Sequence, residues 1–104
     1  MPFTGSEGKK ITRAAAKKVI HRFQGSEHFQ IVTGGFYGKK ALLEILNQPE
    51  CVGIRYYHSL NSKNQPTLVL VGEDSQGSVL SKGVILAEGP LCPPFCWSTE
   101  SLDS

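Results

Sequence analysis

No unbroken run from the set A, V, I, L, M, F, W, Y, C exceeds four residues, reached at Leu68–Val71 and Val84–Ala87. A membrane-spanning helix needs ~20 such residues, so the composition excludes one. Met1–Lys10 lacks the apolar segment of a secretory leader, so a cytoplasmic chain is expected. Charge is scarce at 19%. There is no internal repeat and no long linker, and 104 residues suit one domain. Residues 8–26 hold no carboxylate at all.

That last gap makes the charge lopsided. Residues 1–40 set eight Lys and Arg against Glu7 and Glu27, giving +6, and residues 41–104 set three cations against seven carboxylates, giving −4. Arg13, Lys17, Lys18, Arg22, Lys39 and Lys40 are the candidate anion-binding residues. No base-reading motif accompanies them, so nucleic-acid binding here would be unspecific. The bland alternative is a helix that keeps its cationic side wet.

Residues 1–10 read as a flexible arm, followed by a single domain over 11–89 and a Pro/Cys strap over 90–104. Thr12 can cap a helix that runs to Phe23 or Gln24, with Gly25 as a left-handed stop. Its wheel places Ile11, Ala15, Ala16, Val19, Ile20 and Phe23 on one half. Phe29–Thr33 alternates like a short strand punctuated by Gly34 and Gly35. A second helix spans Lys39–Asn47 and stops before Pro49. Its apolar positions cover most of the wheel, which predicts packing on two sides. Val52–His58 alternates as a strand with Tyr56 inward and Arg55 and Tyr57 outward. Thr67–Gly72 is apolar on both faces and suits the most buried strand. A third strand falls at Ser78–Leu80 or Val84–Ala87. The fold class expected is therefore α+β: two N-terminal helices packed on a small antiparallel meander, with an extended C-terminal tail.

The tail concentrates three of the six prolines, two of the three cysteines and the only tryptophan. Cys92 and Cys96 can close a disulfide if their Cα atoms come within about 4.4–6.8 Å. They can serve thiol redox chemistry, or stay reduced and tucked against the body. Zinc would want four ligands, and only one close pair exists, so no metal and no cofactor is expected. Phe95 and Trp97 are either buried or offered to a partner. G-G-F-Y-G-K-K at 34–40 falls short of a phosphate loop, because its glycine spacing is short and Lys40 stands where a hydroxyl belongs. Arg55, Tyr57 and His58 are the candidate patch on the outer sheet face.

His21, His28 and His58 have no serine or cysteine beside them in a nucleophilic arrangement, and the adjacent Glu73 and Asp74 side chains point apart. No catalytic residue is assigned, and a non-enzyme is expected. L-N-Q-P-E-C-V-G-I-R-Y-Y (46–57), T-L-V-L-V-G-E-D-S-Q-G (67–77) and I-L-A-E-G-P-L-C-P-P-F-C (85–96) resemble a family of small bacterial proteins of unassigned function. Glu50 and Glu73 depart from its pattern of glycine and an apolar residue. The resemblance implies a folded intracellular domain and carries over no site residue. The role expected is a small protein-interaction module, binding a protein partner or a second copy. Polyanion binding and thiol redox are the alternatives.

Overall fold

Thr12 is where the first helix begins, because its Oγ1 accepts the Ala15 N–H at 3.1 Å and satisfies one orphan donor of the first turn. In the computed structural model, which describes residues 3–25, 32–96 and 102, helix α1 spans Arg13–Gln24. It ends at Gly25 with φ −90° and ψ 4°, so the stop is not left-handed. The N–H of Gly25 still closes on His21 O at 3.0 Å. Cover of the sheet by α1 is slight among the described residues: the helix buries no residue and Ile11, Val19 and Phe23 lie exposed, with Phe23 bordering a groove shared with His58, Thr67 and Leu68. Periodicity fixes which residues share a stripe, but not whether anything lies opposite it.

Gly34–Gly35 (β1) precedes helix α2, Lys39–Leu46, which starts on Gly38 and ends on Asn47, just ahead of Pro49. Packing of α2 is one-sided: Ile45 is 0% exposed, whereas Leu43 and Leu46 remain open to solvent. The expectation of two covered sides is corrected accordingly. Gln48 secures the end of the helix by donating to Ile45 O at 2.9 Å and accepting the Val84 N–H at 3.1 Å.

The meander follows as β2 (Gly53–Leu60), β3 (Pro66–Glu73) and β4 (Ile85–Leu86), in the spatial order β2-β3-β4, all antiparallel. β2 and β3 pair from Gly53↔Glu73 through Leu60↔Pro66 around the Asn61–Gln65 loop. β3 is the central strand, and Leu70 and Val71 are buried, as an apolar run on both faces requires. Both sequence candidates for the third strand are used: Val79 bridges Glu73, and Ile85–Leu86 pairs with Val71 and Leu70. An α+β fold with an antiparallel meander is the result.

Alternation assigns the two faces. Arg55, Tyr57 and Ser59 share one with Thr67, Val69, Val71 and Glu73, and Ile54, Tyr56 and His58 share the other with Leu68, Leu70 and Gly72. A Cβ built on Gly72 would stand 2.9 Å from Gln48 Nε2 and 3.1 Å from Cys51 Sγ, which puts the end of α2 over this second face. Tyr37 reaches the same strand through its hydroxyl, which donates to Leu68 O.

The strap supplies β5, Leu91–Cys92, paired antiparallel with β1 in a second, two-stranded sheet. Gly34 and Gly35 therefore pair as a strand rather than punctuate one. The Thr33 N–H donates to Cys92 O and the Phe36 N–H to Pro90 O, both at 2.8 Å, extending the ribbon at each end. The strand expected over Phe29–Thr33 falls mostly outside the described residues, as do His28 and Trp97. No described helix is long and apolar enough to cross a membrane.

Candidate functional site

β2 is an edge strand. Eight residues long, it is bonded to β3 on one side, and among the described residues no backbone group bonds to its other side. Among the described residues, the outward-facing N–H and C=O groups at alternate positions of 54–60 thus have no backbone partner. Proteins commonly blunt such an edge with lysine, proline or a bulge. β2 contains neither lysine nor proline, and its one charged side chain, Arg55, is already engaged.

The engagement is with Glu73. Arg55 Nε and Nη2 donate to the two carboxylate oxygens at 2.5 and 2.7 Å, a forked, charge-assisted pair. The register makes this pair, because Glu73 stands opposite Gly53 and thus diagonal to Arg55 on one face. Glu73 is 6% exposed, and the guanidinium lies 5.6 Å above the ring centroid of Phe3. Phe3 is held there by its N–H, which donates to Ser75 O at 2.8 Å. The first stretch of the N-terminal segment therefore runs beside the sheet. Glu7 folds that segment by accepting from the Thr4 N–H at 2.7 Å and the Gly5 N–H at 2.9 Å, bonds that lower its pKa.

Between this segment and the start of β2 lies a groove of about 470 Å³. Phe3, Gly5 and Glu7 form one wall, and Ile54, Arg55 and Tyr56 the other. Ile54 and Arg55 belong to opposite faces and Glu73 lies on β3, so the groove opens at the edge of β2 and extends onto the Arg55–Glu73 face. Tyr56, expected in the core, is 57% exposed and meets His58 edge-on at 5.6 Å. Compared against protein-family models, curated proteins and solved structures, the chain finds no match.

The patch of Arg55, Tyr57 and His58 is not one surface, because His58 lies on the face of Tyr56. Tyr57 is 50% exposed beside Val69. Phe95 belongs to the segment after β5, whose sheet is separate from that of β2, and is 70% exposed. Four of the anion-binding candidates, Arg13, Lys17, Lys18 and Arg22, sit on α1, while Lys39 and Lys40 open α2 on a separate element. Cys92 and Cys96 are joined in a disulfide with Cα atoms 4.4 Å apart, so of the alternatives the bonded form is the one present. Cys51 is free and donates its thiol to Gly53 O at 3.1 Å. No cluster of three or more His, Cys, Asp or Glu occurs among the described residues.

Sequence reasoning missed Phe3, Tyr56 and the Arg55–Glu73 pair. Only the last had a legible signal: a hairpin centred on the polar stretch 61–65 already sets Gly53 opposite Glu73.

A pH dependence follows from the pair. The Arg55 hydrogen bonds hold the Glu73 carboxyl below its ordinary value near 4.5. A lowered folded-state pKa stabilises the protein above the unfolded value, and the gain is lost as pH falls through the folded one. Stability is therefore expected to drop as pH falls below about 4.5, with a shallower slope in Glu73→Gln. Urea midpoints between pH 2.5 and 6.5 check this, and equal slopes in both proteins would count against the pair.

Proposed function

We propose that this chain is a small cytoplasmic protein-interaction module that takes up an extended segment of a partner protein along β2. The observation that carries this reading is the open edge of an eight-residue strand beside a groove that walls off the space next to it. An extended peptide would add a fourth strand, with main-chain bonds supplying affinity. Its side chains would alternate between the two faces, meeting Arg55 on one and Ile54 or Tyr56 on the other. The N-terminal segment at Phe3 forms the outer wall and limits the register the peptide can take. Exposed tyrosines suit such a contact, offering a large apolar area with few rotatable bonds.

The test is amide mapping with peptides selected against the whole chain from an unstructured library. Shift changes are expected along Gly53–Leu60 and at Phe3–Gly5, with Tyr56→Lys weakening binding about tenfold. Shifts confined to α1 or to the 90–96 strap, or affinity indifferent to Tyr56→Lys, would remove the proposal.

A second reading, polyanion binding, is favoured by one observation: α1 carries Arg13, Lys17, Lys18 and Arg22 with no carboxylate. It requires retention on random DNA or RNA that weakens steeply with salt.

A further inference from the structure

The Cys92–Cys96 bond lies in the second sheet and plays no part in the β2 edge. Its two sulfurs are held unequally. Cys92 is half-buried within β5, paired with Gly34, and its carbonyl accepts the Thr33 N–H at 2.8 Å. Cys96 lies beyond the strand and is exposed, after a turn closed by the Phe95 N–H on Leu91 O at 3.0 Å. Thr33 Oγ1 stands 3.1 Å from Cys92 Sγ. A disulfide sulfur bears no proton, so the hydroxyl donates, its one proton shared between this sulfur and the Cys92 carbonyl oxygen at 3.4 Å.

We propose that this disulfide is a dithiol–disulfide exchange site in which Cys96 is the sulfur attacked and Cys92 the sulfur that leaves. The co-reactant is a dithiol on an accessible, apolar protein segment. One of its thiols loses a proton to water, and the thiolate attacks Cys96 Sγ. A bond forms between the two sulfurs, the Cys96–Cys92 bond breaks, and its electron pair passes to Cys92 Sγ. Attack is directed to Cys96 by access, since exchange follows the sulfur that a thiolate can reach. The charge arriving on Cys92 is met by the Thr33 hydroxyl, already placed to donate. A better-stabilised leaving thiolate departs faster. The second thiol of the co-reactant, likewise deprotonated, then attacks its own sulfur in the mixed disulfide and expels the Cys96 thiolate. Both protein thiolates take up protons from water. The dithiol is oxidised to a disulfide, and the protein disulfide is reduced to Cys92 and Cys96 thiols, two electrons and two protons having moved. Phe95, 70% exposed beside Cys96, supplies the apolar contact for the incoming segment. Cys51 is a further free thiol near the first sheet and is replaced by serine in every protein compared below.

Two comparisons on the full chain test this. In the first, Cys92→Ser and Cys96→Ser, which lose the same cross-link, are each mixed with oxidised glutathione. Cys96 in the first variant is expected to form the mixed disulfide at least about tenfold faster than Cys92 in the second, read by intact mass. In the second comparison, reduction of the native disulfide by dithiothreitol is followed by alkylation. Thr33→Val is expected to slow it roughly tenfold, and Thr33→Ser to restore it. Equal trapping rates at the two cysteines, no trapping at either, or a reduction rate unchanged in Thr33→Val would overturn the proposal. The β2 edge enters neither measurement, so failure here leaves the peptide-binding reading standing.

Discussion

Ile45→Ala is expected to lower stability by about 3 kcal/mol, more than truncation at any other position of α2. The helix has eight residues, too few to persist by propensity alone, so it depends on what it buries. Among the described residues Ile45 is the one large side chain with no exposed surface, while Leu43 and Leu46 keep two-fifths or more of theirs. Truncating Ile45 removes buried methyl groups and leaves a cavity between α2 and the sheet. In a domain of this size the loss corresponds to a fall of more than about 10 °C in Tm. Leu43→Ala and Leu46→Ala are expected to cost under about 1 kcal/mol each. Calorimetry with matching urea titrations checks the contrast. A shift for Ile45→Ala no larger than for Leu46→Ala would show that α2 is not anchored where the structure puts it.

The second large effect is expected at Gly89, where the strap passes the body. A Cβ at this position would stand 2.1 Å from the carbonyl oxygen of Phe36 and 3.1 Å from the Tyr37 ring. Backbone cannot yield as a side chain would, because the same Phe36 residue donates its N–H to Pro90 O. Relief must come from moving the strap outward, which pulls at Phe36–Pro90 and then at the two pairs of the β1–β5 ribbon. Gly89→Ala is expected to cost about 2–3 kcal/mol, at the upper end for overpacking. The amide of Phe36 should lose its protection from solvent exchange, while those of β3 change less. A variant whose Phe36 amide stays protected would contradict the close approach.

The sequence was most legible where structure is local. Thr12 and Pro49 bound their helices through chemistry confined to a few residues. The unbroken apolar run of Leu68–Val71 suits a strand with neighbours on both sides, and it has them. Less legible was everything that depends on a distant partner. The stripe of α1 is as regular as that of any core helix, yet Val19 and Phe23 lie exposed. Tyr56 alternates correctly with Ile54 but stands exposed on an edge strand, so its phase was right and its burial was not. Gly34–Gly35 and Leu91–Cys92 carry no periodic pattern at all, two glycines against a proline-flanked dipeptide, and only proximity reveals that they pair. The candidate site divides the same way. Arg55 and Tyr57 stood out as residue types, whereas Phe3 enters through a single backbone bond to Ser75 that no motif announces.

The two sheets close loops of very different length. β2, β3 and β4 join through successive short connections, whereas Thr33 and Cys92 meet across 59 residues. Closing a longer loop sacrifices more chain entropy before any contact offsets it, and nonlocal pairing slows folding. Loop-closure entropy therefore favours the meander forming before the β1–β5 ribbon, so the strap's cysteines are brought together against a body that is already in place.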